Sequence, residues 1–389
     1  MKTIKTDRLL AGKTNGLRTW IEVDRKAIAD NVKIFRALLG KKTKLMAVVK
    51  SNAYGHSLMD FSREVEKLGV DFLGVDSVVE AFALRADGIK TQILVLGYTL
   101  PENVARAAEV DVNITISNMP ALESLASESV SKPLKIHLKI DTGMHRQGFE
   151  LSELPLVVQK LQALSSKRQA HLEGVYTHFA AAKNPSFPSY TNRQLQEFSK
   201  WTEALAKEGF HPVKHAAATA GAILFPDSHL DMVRIGIGLY GLWPSREVRS
   251  YAEYRLAPKP VLSWKAMISE VKKVKKGERV GYDLTEMLER DSKLAVAPIG
   301  YWHGFPRALS SVGHVIVRGT RVHVIGRVSM DMIVIDVTDV PKAEVGDEVT
   351  LLGRDGSEEI TADELGLLCD TVNYEIVTRL NPLIKRIYR

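Results

Sequence analysis

The segment AVVKSNAYGHS, from Ala47 to Ser57, contains the side chain best suited to covalent chemistry. Lys50 follows an apolar run typical of a strand, and small and polar residues come directly after it. A lysine amine that is partly withdrawn from water has a lowered pKa and can form an imine with an aldehyde cofactor. Taken alone, the pattern also fits a solvated lysine at the end of a strand, which is the commoner case.

Further candidates lie where later strand-like runs end. His178 stands near the end of EGVYTHF, and Thr219 follows VKHAAA. Arg234 lies in the run MVRIGIGLYG, together with Gly236 and Ile237. The two glycines of GIG would let backbone N–H groups approach a phosphate closely. The alternative is that glycine in a barrel strand only relieves crowding.

The elements that must position these residues are eight strand-like runs with helical patterns between them. The runs cover residues 44–49, 71–76, 92–98, 112–117, 134–141, 173–179, 213–218 and 232–241. This alternation predicts a (β/α)8 barrel of the TIM type, in which functional residues gather at the carboxyl ends of the strands. A doubly wound open sheet is the alternative, although it explains the number eight less naturally.

After about residue 250 the pattern changes to short β-type runs separated by turn residues, without helices between them. Such a pattern predicts a mainly antiparallel β domain. We therefore expect an N-terminal segment of unknown role at 1–17, a barrel domain at 18–248 and a C-terminal β domain at 249–389.

Composition excludes several classes of protein. The chain has 389 residues and a net charge of +7, but its 53 basic residues are interleaved with 46 acidic ones, which disfavours a nucleic-acid-binding surface. A single cysteine excludes an internal disulfide framework and a multi-cysteine metal site, and no metal is expected. Because no apolar run has membrane-spanning length and the N-terminus lacks a signal-peptide core, we expect a cytoplasmic protein.

Ten motifs, in order, resemble those of the bacterial alanine racemases. They are RTWIEVDRKAIADNV, AVVKSNAYGHS, EAFALRADGI, LKIDTGMHRQGF, GVYTHFA, MVRIGIGLYGLWPS, VGYDLT, IGYWHGFPR, VIGRVSMDMIVIDVTD and NYEIVTR, and they cover nearly the whole chain from residue 18 onward. The resemblance implies an enzyme that interconverts L-alanine and D-alanine, for peptidoglycan synthesis, with pyridoxal 5'-phosphate (PLP) as cofactor.

The resemblance assigns the cofactor to the barrel, with Lys50 forming its Schiff base. His178 is implied to stack near the pyridine ring and Arg234 to donate to the ring nitrogen. Since a guanidinium keeps its protons at ordinary pH, that nitrogen should stay unprotonated, which limits side reactions such as transamination. The implied phosphate ligands are Tyr54, Thr219, the backbone of Gly236 and Ile237, and Tyr374.

Racemisation requires proton transfer on both faces of the α-carbon, for which two bases are the simplest arrangement. By resemblance these are Lys50 and, on the opposite face, Tyr282 of VGYDLT. Arg146 is implied to contact the substrate carboxylate, and Lys139 resembles the family's carbamylated lysine. The family works as a homodimer with shared active sites, so Tyr282 would reach the partner's barrel. Tyr301 and Met330 would line the entrance and the substrate pocket from the same partner subunit.

The chain departs from the family pattern at several positions. Trp302 and His303 stand where Ala-Asp is usual, Ala218 replaces a common asparagine, and Lys183 replaces an acidic residue. These changes leave substrate preference open, so a racemase of broader specificity, or one for serine or a basic amino acid, is an alternative. A non-catalytic PLP-binding protein is a second alternative, but such proteins lack the C-terminal domain that carries Tyr282.

Overall fold

The computed structural model describes residues 16–127, 130 and 132–389, so the segment expected at 1–17 lies outside the described residues except for its last two. The chain divides into two compact units. Of the described residues, those within 26–54 and 58–259 form the barrel unit, and those within 16–25, 55–57 and 260–389 form the sheet unit.

The helices and strands alternate in the barrel unit and are mostly strands in the sheet unit. In chain order the strands are β1 Thr19–Val23, β2 Lys44–Val48, β3 Phe72–Val75, β4 Gln92–Val95, β5 Val112–Ile116, β6 Leu134–Lys139, β7 Ala170–Tyr176, β8 Val213–His215, β9 Met232–Ile235, β10 Leu262–Met267, β11 Glu270–Val274, β12 Arg279–Val280, β13 Glu286–Met287, β14 Ser292–Ala297, β15 His314–Val317, β16 Thr320–Ile325, β17 Ile333–Asp336, β18 Glu348–Asp355, β19 Glu358–Ile360 and β20 Arg386–Tyr388. The helices are α1 Arg25–Ala37, α2 Lys50–Tyr54, α3 Leu58–Lys67, α4 Val78–Ala86, α5 Val104–Glu109, α6 Met119–Ser124, α7 Leu154–Ser166, α8 Pro188–Lys207, α9 Thr219–Leu224, α10 Arg246–Ala252, α11 Ala362–Leu368 and α12 Asn373–Thr378.

Eight parallel strands form the barrel in the order β8-β7-β6-β5-β4-β3-β2-β9. The ring is nearly closed between β8 and β9, where a parallel bridge joins Ala218 to Arg234 and the Arg234 N–H donates to the Ala217 carbonyl at 3.0 Å. Apolar side chains of β2, β3, β4 and β9 pack in one buried cluster. The predicted (β/α)8 fold is confirmed, and the carboxyl ends of all eight strands meet on one rim.

The eighth predicted run is too long. β9 ends at Ile235, and Gly236 begins a tight 3-10 turn over Ile237–Tyr240, so Gly236 and Ile237 lie after the strand rather than along it. The physical reason is local, because Gly236 has a φ of −104° and a ψ of −99°, which no strand ladder accommodates. The turn places the backbone of both residues on the rim.

The sheet unit is built around a mainly antiparallel sheet in the order β11-β14-β17-β16-β15-β18-β10-β1-β20, with β19 paired to β18. Its strands confirm the predicted antiparallel character, apart from a parallel pair between β1 and β20. β1 covers residues 19–23, which the sequence assigns to the barrel domain. The boundaries 18–248 and 249–389 themselves remain predictions.

Candidate functional site

After β2 the chain passes Lys50 and enters a left-handed turn that begins at Ser51. Four consecutive residues without a glycine among them, Ser51 to Tyr54, have φ values of 51–56°. Each such residue costs about 1–2 kcal/mol, so the turn must be stabilised by specific contacts. The Ala53 N–H donates to the Val49 carbonyl at 2.8 Å, and the Asn52 side chain accepts from the Leu58 N–H at 2.9 Å.

Two carboxylates from the neighbouring strand end hold this turn, and neither was anticipated from the sequence. The ammonium of Lys50 lies 3.0 Å from Asp76 Oδ1. Glu80 accepts from the Ser51 N–H at 2.7 Å and, with its other oxygen, from the Asp76 N–H at 2.8 Å. Glu80 itself lies in the first turn of α4, where its N–H is capped by the Ser77 side chain. Lys50 is therefore a positioned amine at the rim, with about a third of its side chain exposed.

Arg234 projects from β9 and is buried, with 3% of the residue exposed. One terminal nitrogen donates to His215, at 3.0 Å to both its Nδ1 and its carbonyl. The other donates to the Thr177 carbonyl at 2.7 Å, the Ala216 carbonyl at 2.9 Å and His178 Nδ1 at 3.2 Å. Burial lowers the pKa of Arg234 to about 10, so the guanidinium is still charged at neutral pH.

The contact from Arg234 fixes the protonation of two further histidines. Because arginine can only donate, His215 Nδ1 must accept, and the His215 proton is therefore on Nε2. That nitrogen lies 2.9 Å from Nδ1 of His137, which must accept in turn. Burial, and then the neighbouring positive charges, lower the pKa of His137 to about 3 and hold that of His215 well below its ordinary value. Both imidazoles are neutral donors and acceptors in a line that starts at Arg234.

Small and aromatic residues complete the surroundings of this line. A Cβ at Gly174 would lie 2.1 Å from His137 Nδ1, so only glycine leaves space for that ring. Tyr176 stacks on His215 with ring centroids 4.8 Å apart, and its hydroxyl lies 3.0 Å from the Thr115 hydroxyl. His137, His215 and Tyr176 were missed at the sequence level. The only sequence signal was that each is a polar residue within a predicted strand run.

A second group of predicted residues forms a small cradle on the rim. Thr219, at the start of α9, accepts the Gly236 N–H at 3.2 Å. A Cβ at Gly236 would lie 2.7 Å from the Tyr54 hydroxyl, so a glycine is needed for that approach. Burial raises the pKa of Tyr54 to about 12. Its hydroxyl is therefore a neutral donor, as is the hydroxyl of Thr219.

Positive charge is concentrated around His178. Burial, followed by the charges of Arg234, Arg146, Lys139 and Lys50, lowers the pKa of His178 to about 3. Burial and then Arg146 lower the pKa of Lys139 to about 8, and Lys139 Nζ donates to Gln147 at 3.2 Å. Four cations thus lie within electrostatic reach of one neutral imidazole. Such a region is suited to an anionic ligand.

The loop that carries Arg146 is organised by Asp141, two residues after the end of β6. Its carboxylate accepts the N–H groups of residues 143–146 at 2.9–3.1 Å. Burial raises the pKa of Asp141, but these four backbone donors outweigh it and leave the pKa below its ordinary value. The side chain of Arg146 lies exposed at the end of this loop.

Tyr282 lies in the sheet unit, at the tip of the short hairpin formed by β12 and β13. It is 69% exposed. The hairpin base packs in an apolar cluster that includes Val280 and Ile325. Beside Tyr282, Asp283 pairs with Arg327 at 2.8 Å. The tyrosine is therefore presented outward from a fixed support.

Three other predicted residues also lie in the sheet unit. Tyr301 and Met330 are about half exposed, and the backbone joins their two segments: the Tyr301 N–H donates to Ser329 and the Trp302 N–H to Met330, both at 3.0 Å. Tyr374 lies half-buried in α12. The structure thus brings the barrel residues together in one unit, and Tyr301 with Met330 in the other.

Within the part of the chain that the structure describes, no group of three or more histidine, cysteine or carboxylate side chains is arranged to hold a metal ion. Nor does any helix in those ranges have the length and apolar composition needed to cross a membrane.

Comparisons with known proteins cover almost the whole chain. Residues 23–244 match the family described as alanine racemase, N-terminal domain, and residues 261–388 match alanine racemase, C-terminal domain. The alanine racemase of Methanococcus maripaludis is 40% identical over 372 residues, which are 95% of this chain and 98% of that protein. The alanine racemase of Symbiobacterium thermophilum is 38% identical over 378 residues, or 96% and 98% of the two chains.

Solved structures show the same likeness. The alanine racemase of Bacillus anthracis, solved with bound L-Ala-P, has a TM-score of 0.89 and 35% identity, covering 96% of this chain and 95% of its own. That of Streptomyces coelicolor has a TM-score of 0.89 and 32% identity, covering 96% and 98%.

Proposed function

The chain belongs to the alanine racemase family, and we propose that it interconverts L-alanine and D-alanine with PLP attached at Lys50. It is an amino-acid racemase, and therefore an isomerase. We propose further that it acts in the cytoplasm and that its D-alanine serves peptidoglycan synthesis.

The observation that carries the cofactor proposal is the environment of Arg234. All five of its contacts go to carbonyl oxygens or imidazole nitrogens, which keep a full positive charge fixed at the rim. A PLP ring facing this cation would keep its nitrogen unprotonated, and bound PLP would then supply a moderate rather than a strong electron sink. Such a sink suits the reversible loss of one α-proton and disfavours transamination.

The donors on the rim fit a phosphate. Thr219 accepts the Gly236 N–H and so keeps its own hydroxyl proton free to donate. The Tyr54 hydroxyl is a neutral donor beside a glycine whose Cβ would fill the space. We propose these residues as phosphate ligands, with the Ile237 backbone and Tyr374, and His178 as the ring against the pyridine face.

Arg146 and Lys139 are proposed to serve the substrate carboxylate. A planar guanidinium suits a carboxylate because its donors match the two oxygens. With a pKa of about 8, Lys139 has a substantial neutral fraction near neutral pH. A neutral amine adds to carbon dioxide with loss of one proton, and we propose that the resulting carbamate offsets the charge of Arg146.

Two groups are proposed to move the α-proton, Lys50 on one face and Tyr282 on the other. Tyr282 is exposed at a hairpin tip, next to Leu284 and Met287, which are also more than half exposed. Large apolar side chains gathered on one hairpin are typical of a surface that another chain covers. We therefore propose a homodimer in which Tyr282, Tyr301 and Met330 complete the partner's site.

The test of the cofactor assignment is an absorbance spectrum of the purified protein, before and after borohydride, followed by mapping of the reduced peptide. The label is expected on Lys50, and a Lys50→Ala variant is expected to yield none. A colourless protein that does not take up PLP would contradict the proposal.

The test of the second base is Tyr282→Phe. We expect turnover to fall by about 10²–10⁴-fold, the usual contribution of a positioned general base, while the cofactor absorbance is retained. Full activity in this variant would remove Tyr282 from the mechanism.

The test of specificity compares turnover of L-alanine, L-serine and L-lysine by the wild-type enzyme. Alanine is expected to be the best substrate. If serine or lysine is turned over faster, the alternative of a racemase with different specificity is correct.

A further inference from the structure

The segment around Tyr301 is closed by a 3-10 turn over Tyr301–His303. Gly300 precedes this turn, and a Cβ there would lie 2.1 Å from the Ser329 carbonyl, so the two segments touch directly. Together with the backbone bonds from Tyr301 and Trp302, this contact fixes the position of Tyr301 relative to Met330. A change in the conformation of the turn would therefore displace both Tyr301 and Met330.

His303 closes the turn from inside. Its imidazole Nδ1 accepts the Gly300 N–H at 3.2 Å, and only 9% of its side chain is exposed. Because Nδ1 accepts, the proton of this imidazole is on Nε2. Asn381 holds the outside of the turn, with its N–H donating to the His303 carbonyl and its side chain to the Trp302 carbonyl. The turn is thus held from both sides.

Two charged groups face the imidazole. Asp331, the residue after Met330, has an oxygen 3.8 Å from Nδ1, and the positive charge of Arg18, the residue before β1, also acts on the ring. Burial, the largest effect, lowers the pKa of His303; Asp331 raises it, and Arg18 lowers it further. The net result is a pKa below the ordinary value, so the ring is neutral at neutral pH.

We propose that neutral His303 is a positioning residue for Tyr301 and Met330, and that protonation of its Nδ1 opens the turn. A proton on Nδ1 converts the acceptor of the Gly300 N–H into a donor. The Gly300 bond is then lost, and the imidazolium is drawn towards Asp331, which moves the segment that carries Met330. This inference rests on the proposed function, in which Tyr301 and Met330 line the substrate pocket.

The test measures kcat and KM for L-alanine between about pH 5 and pH 9 in the PLP-loaded enzyme. The wild type is expected to lose kcat/KM about tenfold per pH unit below the pKa of His303, with KM rising before the cofactor absorbance changes. In His303→Asn, the amide oxygen takes the place of Nδ1 and does not titrate, so we expect this acid limb to disappear. In His303→Gln, the amide group reaches the position of Nε2 and leaves no acceptor at that of Nδ1, so we expect a raised KM even at about pH 8.

Two controls complete the test. His171→Asn removes an exposed imidazole from the barrel unit and is expected to keep the wild-type pH profile. Asp331→Asn removes the carboxylate that favours protonation, so the acid limb is expected to move to lower pH. Unfolding midpoints of each variant are compared to show that it is folded.

Superimposable pH profiles of the wild type and His303→Asn would overturn the inference, and so would an unchanged KM in His303→Gln. These outcomes are separate from a failure of the proposed function, which would appear as absence of racemisation by the wild type at about pH 8.

Discussion

Replacing Arg234 with lysine separates its geometry from its charge. The two terminal nitrogens of Arg234 donate to five acceptors, in His215, Thr177, Ala216 and His178. A lysine ammonium can donate to three at most, so at least two of these acceptors lose Arg234 as their donor. The His215 carbonyl also accepts the Thr177 N–H at 3.3 Å, so at least one acceptor is left unpaired. Each unpaired buried acceptor costs about 1–3 kcal/mol, so we expect the barrel to lose at least ~1–3 kcal/mol of stability.

The assay is hydrogen exchange of the backbone amides in β8 and β9, which reports the local free energy of opening. Arg249→Lys is a matched control, because Arg249 is exposed on α10 and pairs with Glu253, an exposed carboxylate four residues later. Its effect is expected to stay within about 0.5 kcal/mol. A loss below about 1 kcal/mol in Arg234→Lys would refute the reasoning, since it would show that the acceptors around Arg234 find other donors or water.

The buried His137 has a pKa of about 3, against about 6.5 in the unfolded chain. The free energy of unfolding is therefore highest above pH 6.5 and falls as the pH drops from there towards 3. At pH 5 the loss is about 2 kcal/mol. His137→Asn keeps an acceptor but does not titrate, so it is expected to remove this loss when unfolding is measured at pH 7 and pH 5. Gly174→Ala places a Cβ 2.1 Å from an imidazole nitrogen and is expected to lower the free energy of unfolding by about 1–3 kcal/mol, measured in denaturant. Gly40→Ala is the control, because the nearest atom to its Cβ would be 3.6 Å away. Equal effects of the two variants would contradict the steric argument. Arg386→Met removes the donor of four buried carbonyls, those of Gly55, Leu380, Asn381 and Ile384. The Asn381 carbonyl also accepts the Ile384 N–H at 3.1 Å, so at most three are left unpaired, and at about 1–3 kcal/mol for each the unfolding midpoint should fall clearly. An unchanged midpoint would show that water replaces the guanidinium.

The barrel could be predicted because each of its strands and helices is indicated by a short stretch of sequence. Each strand is a short apolar run followed by polar residues, and the alternation with helices restricts how the strands can pair. The position of Lys50 just beyond the end of β2 follows from the same pattern. Its ion pair with Asp76 could not be predicted, because it depends on two loops that are close only after the sheet has formed.

Unusual backbone conformations also could not be predicted from the sequence. In the left-handed turn from Ser51 to Tyr54 only Asn52 is of a type enriched at positive φ, and one asparagine does not indicate four such residues in a row. The opposite case is Gly236, where a glycine did indicate a close approach, although the sequence placed it in a strand rather than in the following turn. A glycine in the sequence shows that unusual φ and ψ values are allowed, but the contacts in the folded chain determine which values it adopts.

Contacts between residues that are far apart in the sequence could not be predicted either. β1, at Thr19–Val23, has the alternation of any strand, and nothing in its five residues indicates that it pairs with β10 and β20. The line from Arg234 through His215 to His137 is similar. Each histidine alone is an ordinary buried side chain, and only the barrel shows that their nitrogens meet.

The place of β1 between β10 and β20 has a consequence for synthesis. About 239 residues separate Val23 from Leu262, its antiparallel partner. At the usual ~5–20 residues per second of translation, the first strand waits roughly 12–48 s on the ribosome before that partner exists. A chain that stops before residue 260 keeps every strand of the barrel but leaves this N-terminal strand unpaired, so prematurely ended products would be open to proteolysis at their beginning.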